Sequence, residues 1–130
     1  MSKEIPKITD AEWIIMKLLW KKAPLTSSEI IKALKPVSKW NPKTIHTLIS
    51  RLVEKRALRA QKDVSPFYLY YPLVNEDDCR KVETKSFLEK VYDGSFPLLV
   101  ANFIKAEVLT PQEINELRAI LEDHQGDRGR

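Results

Sequence analysis

Two rhythms of apolar residues run along the chain, and the places where one gives way to the other mark out its elements. From Trp13 to Val53 apolar side chains recur at the three- and four-residue steps of amphipathic helices. From Leu58 to Tyr71 the period is that of strands, and beyond Pro72 the helical step returns. The helices open on one shared local chemistry. In Ile8-Thr9-Asp10-Ala11-Glu12-Trp13, Thr9 can cap the free backbone N–H groups, Glu12 can reach back to Thr9, and Ile8 and Trp13 can staple the entry. Thr26 with Glu29, flanked by Leu25 and Ile30, repeats the pattern, and so does Thr110 with Glu113, flanked by Leu109 and Ile114. Asn41, followed by Pro42 and flanked by Trp40 and Ile45, is a variant in which proline occupies the first turn without losing a hydrogen bond.

These signals predict a helix from Asp10 to about Lys21 burying Trp13, Met16, Leu19 and Trp20. A short helix from Ser27 to Leu34, with Ile30, Ile31 and Leu34 inward, is stopped by Pro36. A third, from Pro42 to about Lys55, buries Ile45, Leu48, Ile49, Leu52 and Val53. Strands at Leu58–Lys62 and Phe67–Tyr71 flank a turn at Asp63-Val64-Ser65-Pro66. Three helices and a hairpin, in this order, read as a winged helix-turn-helix over residues 1–73. Residues 74–130 read as a three-helix dimerisation domain, so the fold class is mainly α with a small β-hairpin wing. Its helices run from Asn75 to about Tyr92, from Ser95, and from Pro111 to about His124, with a frayed tail from Gln125.

Charge sharpens this division. Residues 1–72 hold 14 Lys/Arg against 6 Asp/Glu, whereas residues 73–130 hold 8 against 12. A basic half is the footprint of a polyanionic partner, and the acidic half is not. The uncharged run Gly94 to Ile104 is far shorter than the roughly 20 residues that span a bilayer. Met1 to Lys7 carries no apolar stretch of a signal peptide, and the lone Cys79 excludes an internal disulfide. A cytoplasmic protein is expected.

Removing the buried stripe from the third helix leaves Lys43, Thr44, His46, Thr47, Ser50, Arg51 and Glu54 facing outward. Short hydroxyls and bases on one face suit the major groove, where Arg grips guanine and Thr or Ser meets base edges, phosphates or a thymine methyl. Lys43 and Thr44 lie at a helix N-terminus suited to phosphate. In the hairpin, Arg59 and Lys62 are candidate phosphate contacts, and the aromatic residues Phe67, Tyr68, Tyr70 and Tyr71 are assigned to packing against the helices.

Catalysis finds no support: His46, His124 and Cys79 are scattered, without the spacing of a metal site, and there is no Gly-rich phosphate loop. No cofactor is expected. Two other classes remain open, a winged-helix protein–protein module and a repressor released by a small ligand. The C-terminal helices carry apolar residues on more than one face, which a second copy would cover. Phe87, Val91, Phe96, Leu99, Val100, Phe103, Ile104, Leu117 and Leu121 are the expected dimer residues.

The stretches Ile8 to Met16, Trp40 to Leu52, Phe67 to Pro72, Phe87 to Gly94 and Leu98 to Phe103 resemble the BlaI/MecI family of penicillinase and methicillin-resistance repressors. The resemblance covers residues 8–123 and is carried most specifically by Trp40-Asn41-Pro42-Lys43-Thr44-Ile45. It implies a homodimeric winged helix that binds double-stranded operator DNA at dyads built around TACA/TGTA and represses β-lactamase or resistance genes. It also implies a membrane-bound β-lactam sensor that triggers a cut between Asn102 and Phe103. His46 stands where family members often carry Arg or Gln. The chain lacks the C-terminal cysteine pairs of the copper-responsive branch.

Overall fold

The computed structural model of the chain describes residues 4–62 and 66–128, with side chains as far as His124. Its elements follow in the order α1 (Asp10–Lys22), α2 (Ser27–Leu34), α3 (Pro42–Glu54), β1 (Leu58–Lys62), β2 (Tyr68–Pro72), α4 (Glu76–Tyr92), α5 (Phe96–Lys105) and α6 (Pro111–Arg128). The capping chemistry forms as the sequence demands. Thr9 and Glu12, Thr26 and Glu29, and Thr110 and Glu113 each close a reciprocal pair of hydrogen bonds. Asn41 accepts from the Thr44 N–H at 2.9 Å.

The chain divides into two compact units, residues 1–84 and residues 85–130. In the first, Ile15, Met16 and Leu19 of α1 meet Ile30 and Leu34 of α2 and Ile45, Leu48, Ile49 and Leu52 of α3. Ile8, Ala57, Leu58, Val74 and Cys79 complete this core. The inward stripe of α1 keeps the expected Met16 and Leu19 but takes Glu12 and Ile15 in place of Trp13 and Trp20. Glu12, Ile15, Met16 and Leu19 are buried, while Trp13 and Trp20 lie half-buried and meet edge to face at 5.4 Å. Ile31 and Val53, also expected inward, pack half-buried at the core's rim.

The strands pair antiparallel, with Leu58 opposite Pro72 and Lys62 opposite Tyr68. The second strand therefore begins at Tyr68, one residue later than expected, because Tyr68 and not Phe67 answers the last residue of β1. The expected turn falls partly outside the described residues, at 63–65. Tyr70 also donates its N–H to the Leu25 carbonyl at 2.9 Å, which ties the hairpin to the segment before α2.

The second unit has a different character. None of its described residues through His124 is buried. Helix α5 ends in two hydrogen bonds around a left-handed residue: Glu107 has φ 56°, its N–H reaches the Ile104 carbonyl, and Val108 N–H reaches that of Phe103. Helix α6 continues to Arg128, past the expected end at His124, because no proline follows to stop it.

Candidate nucleic-acid interface

Burying Ile45, Leu48, Ile49 and Leu52 decides which face α3 shows to solvent. Lys43, His46, Thr47, Ser50 and Arg51 are exposed and Thr44 is half-buried, so the structure brings the expected recognition residues onto one helix surface. Successive positions divide that surface by angle. Lys43, Thr47 and Ser50 form its central ridge, His46 lies on one flank, and Arg51 and Thr44 lie on the other. Glu54 continues the ridge into the last turn, where a carboxylate repels phosphate. The stretch from Pro42 to Arg51, ahead of Glu54, is therefore the part suited to a polyanion.

Thr47 has a committed hydrogen. Its Oγ1 donates to the Lys43 carbonyl at 3.0 Å, which leaves the oxygen lone pairs and the methyl group for anything docking on the ridge. At this position α3 can accept a hydrogen bond or meet a methyl, and it donates none.

The far end of α3 is held by Lys55, whose Nζ donates to Glu12 Oε1 at 2.6 Å and to the Lys7 carbonyl at 2.9 Å. Burial pushes the Glu12 carboxyl up. The Lys55 hydrogen bond, the Thr9 N–H and the Lys55 charge outweigh that and hold it below the ordinary carboxylate range. Sequence reading gives Glu12 as a capping residue and Lys55 as a helix end but does not pair them, since 43 positions separate them and no periodicity links them.

In the hairpin, Arg59 and Lys62 are exposed as expected, and each lies over a tyrosine. The Arg59 guanidinium is 4.9 Å from the Tyr71 ring centre, and the Lys62 ammonium is 5.6 Å from that of Tyr68. Packing against the helices, expected for all four aromatic residues, holds for Tyr70, whose ring joins the core's rim. Phe67 and Tyr68 remain 62% and 50% exposed. Burial, and to a smaller extent the neighbouring Tyr68, raises the Tyr70 hydroxyl above its usual range.

In the second unit Asn102 is exposed, as read, and Phe103 is half-buried, both inside α5. The Asn102 side-chain amide donates to the Tyr92 hydroxyl at 3.1 Å, and the Asn102 backbone carbonyl accepts from Ala106 N–H at 3.0 Å. Phe87, Val91, Phe96, Ile104 and Leu121 are exposed, while Leu99, Val100 and Leu117 are half-buried.

Residues 8–123 match the family model described as penicillinase repressor. The chain is 43% identical over 122 residues to the penicillinase repressor of Bacillus licheniformis, covering 94% of each chain. It is 40% identical over 121 residues to the methicillin resistance regulatory protein MecI of Staphylococcus aureus strain N315, covering 93% of this chain and 98% of that one. Among solved structures, that of the monomeric form of B. licheniformis BlaI in complex with the blaP half-operator matches with a TM-score of 0.52 and 42% identity. It covers 59% of this chain and 93% of that one. With its winged-helix architecture and this similarity along nearly its whole length, the chain belongs to the penicillinase repressor family.

Proposed function

We propose that this protein is a transcriptional repressor that binds a palindromic DNA operator as a homodimer and controls β-lactamase or other β-lactam-resistance genes. The observation that carries the reading is the outer face of α3. Its first three turns gather Lys43, Thr44, His46, Thr47, Ser50 and Arg51 with no carboxylate among them. Arg51 reads a base edge, Lys43 with the helix N-terminus takes a phosphate, and Arg59 and Lys62 take phosphates beside the groove. The relatives named as penicillinase repressor and MecI supply the class of gene.

The second unit supports the dimer. Its helices place Phe87, Val91, Phe96, Ile104 and Leu121 in water in the single chain, and a second copy related by a two-fold axis removes that exposure. Release of DNA follows a cut between Asn102 and Phe103, set off by a membrane-bound β-lactam sensor, which detaches α6 and part of α5 from the dimer. Among the described residues no helix is long and apolar enough to cross a membrane. The repressor works where its DNA lies, in the cytoplasm.

The test is titration of a labelled operator-like duplex in competition with a scrambled one, at several salt concentrations. Arg51→Ala is expected to weaken specific binding by roughly 1–3 kcal/mol and leave binding to the scrambled duplex nearly intact. Lys43→Ala is expected to weaken both and flatten the salt slope by about one unit. Equal losses on both duplexes for Arg51→Ala would show that α3 reads no sequence.

A further inference from the structure

The described strands of the wing carry two cations and no acid. Each cation stands directly across the ladder from a tyrosine, Arg59 from Tyr71 and Lys62 from Tyr68. The separations of 4.9 and 5.6 Å lie within the range at which a cation is attracted to the face of an aromatic ring. Neither cation enters an ion pair among the described residues, and each has a ring beside it. Positions 59 and 62 are three apart on one strand, so they project from opposite faces of the ribbon.

Burial in the core does not explain why a tyrosine stands opposite Lys62. Tyr70, two residues along on the same face, packs against the core, whereas Tyr68 is half exposed. A contact with a ring face consumes none of the cation's N–H donors. Lysine keeps all three and arginine all five, free for an incoming phosphate. A solvated lysine or arginine surrenders its rotamer freedom when it docks on a phosphate, and a side chain already restrained over a ring surrenders less.

We propose that Tyr68 and Tyr71 are positioning residues of the wing, whose rings pre-align Lys62 and Arg59 for the phosphates of duplex DNA. This rests on the DNA-binding reading above. The rings act through the cations and do not touch the nucleic acid themselves. The fit is to backbone phosphate, so the contribution is the same for every DNA sequence.

A double-mutant cycle on the full-length protein tests this, with fluorescence anisotropy of labelled operator-like and scrambled duplexes as the readout. Tyr68→Leu is expected to weaken binding two- to fivefold on both duplexes, while Tyr68→Phe, which keeps the ring, binds as the parent does. In a Lys62→Met background Tyr68→Leu is expected to cost nothing further, and the Tyr71/Arg59 pair is expected to behave alike. Additive losses, or a Tyr68→Phe variant as weak as Tyr68→Leu, would mean that the tyrosine touches DNA directly and would overturn the proposal. A loss that follows a lowered melting temperature would reduce the ring to a hairpin staple and overturn it as well. If the parent binds no duplex, the DNA-binding reading itself fails. If the parent binds and Lys62→Met changes nothing, the wing proposal alone fails.

Discussion

Lys55 Nζ lies 2.6 Å from Glu12 Oε1, and this contact joins the end of α3 to the cap of α1. The Glu12 side chain is 1% exposed and the Lys55 side chain 29%. One oxygen of Glu12 closes the α1 capping box and also receives the lysine. The orientation of α3 is thereby tied to the start of the first helix. Lys55→Met leaves a buried carboxylate without its cation and is expected to destabilise the protein by roughly 2–3 kcal/mol, measured by urea unfolding. This is less than a fully enclosed pair would lose, since part of Lys55 meets water.

The same pair sets a pH dependence. Because the folded-state Glu12 carboxyl is held below its unfolded value of about 4.3, its stabilisation is fully present above that value. It is lost as pH falls through the folded value. Chemical unfolding from pH 6 down to pH 2 is expected to show this loss in the parent below about pH 4.3. In Lys55→Met desolvation acts without its strongest opponent, so the folded value moves back up toward or past the unfolded one and the acid loss is smaller than in the parent. Superimposable acid profiles for the two proteins would contradict the assignment.

At Thr47 the committed hydroxyl predicts an unusual order of variants. Thr47→Val keeps the methyl and the shape, so operator affinity is expected to stay within about threefold of the parent. Thr47→Ser keeps the hydroxyl and loses the methyl, which costs about 0.8 kcal/mol if a thymine methyl is its partner. Replacing single thymines of the duplex by uracil is expected to erase the difference between Ser and Thr at one position. The reverse order, with Val the weaker variant, would show that the oxygen accepts a hydrogen bond from a base.

The compact first unit runs to Thr84, and the start of α4 contributes to its core through Cys79. Just before that helix, Val74 is buried, and its carbonyl accepts from Trp20 Nε1 at 2.9 Å. A fragment of residues 1–84 is expected to fold as a monomer with weak affinity for a half-site, because the second contact is no longer tethered. A fragment ending at Pro72 loses the Trp20 acceptor and two core side chains, and is expected to melt at least 10 °C lower, given about 4–8 °C per kcal/mol for a domain of this size. Sedimentation and thermal melting of the two fragments check both statements.

Glu107 occupies the left-handed position that closes α5, where glycine carries no steric penalty. Glu107→Gly is therefore expected to strengthen the helix end by about 1 kcal/mol, the opposite of the usual effect of adding glycine. Amide exchange at Ala106 and Val108 would slow about fivefold. Cleavage between Asn102 and Phe103 would slow too if it requires α5 to open. Tyr92→Phe, which removes the hydroxyl holding the Asn102 side chain, is expected to speed both.

Much of this architecture is legible in the sequence because its signals are local. Thr9 with Glu12, Thr26 with Glu29 and Asn41 with Pro42 each declare a helix start within four residues, and the outward face of α3 follows by subtraction from its buried stripe. What escapes is set by contacts between distant segments. Glu12 reads as a capping residue, and only Lys55 explains why it is buried. The inward stripe of α1 then takes in Glu12 and Ile15 beside Met16 and Leu19 and leaves both of its tryptophans at the core's rim. Alternation along β2 separates Tyr68 and Tyr70 from Tyr71, but the pairing of rings with cations depends on a strand register that the sequence signals missed by one residue.

Cys79 is the chain's single thiol, and it is 3% exposed. Burial, with some help from the adjacent Asp78 charge, raises it above the usual thiol range, so the nucleophilic thiolate is scarce as well as enclosed. A maleimide or disulfide reagent therefore meets this sulfur only when the start of α4 lifts from the core of helices α1 to α3. Its rate of modification is a clock for that opening, and no label has to be engineered. DNA that binds only the closed form slows the clock by a factor of one plus its concentration over Kd. Occupancy of an unlabelled operator can thus be followed through the chemistry of a side chain buried in the core.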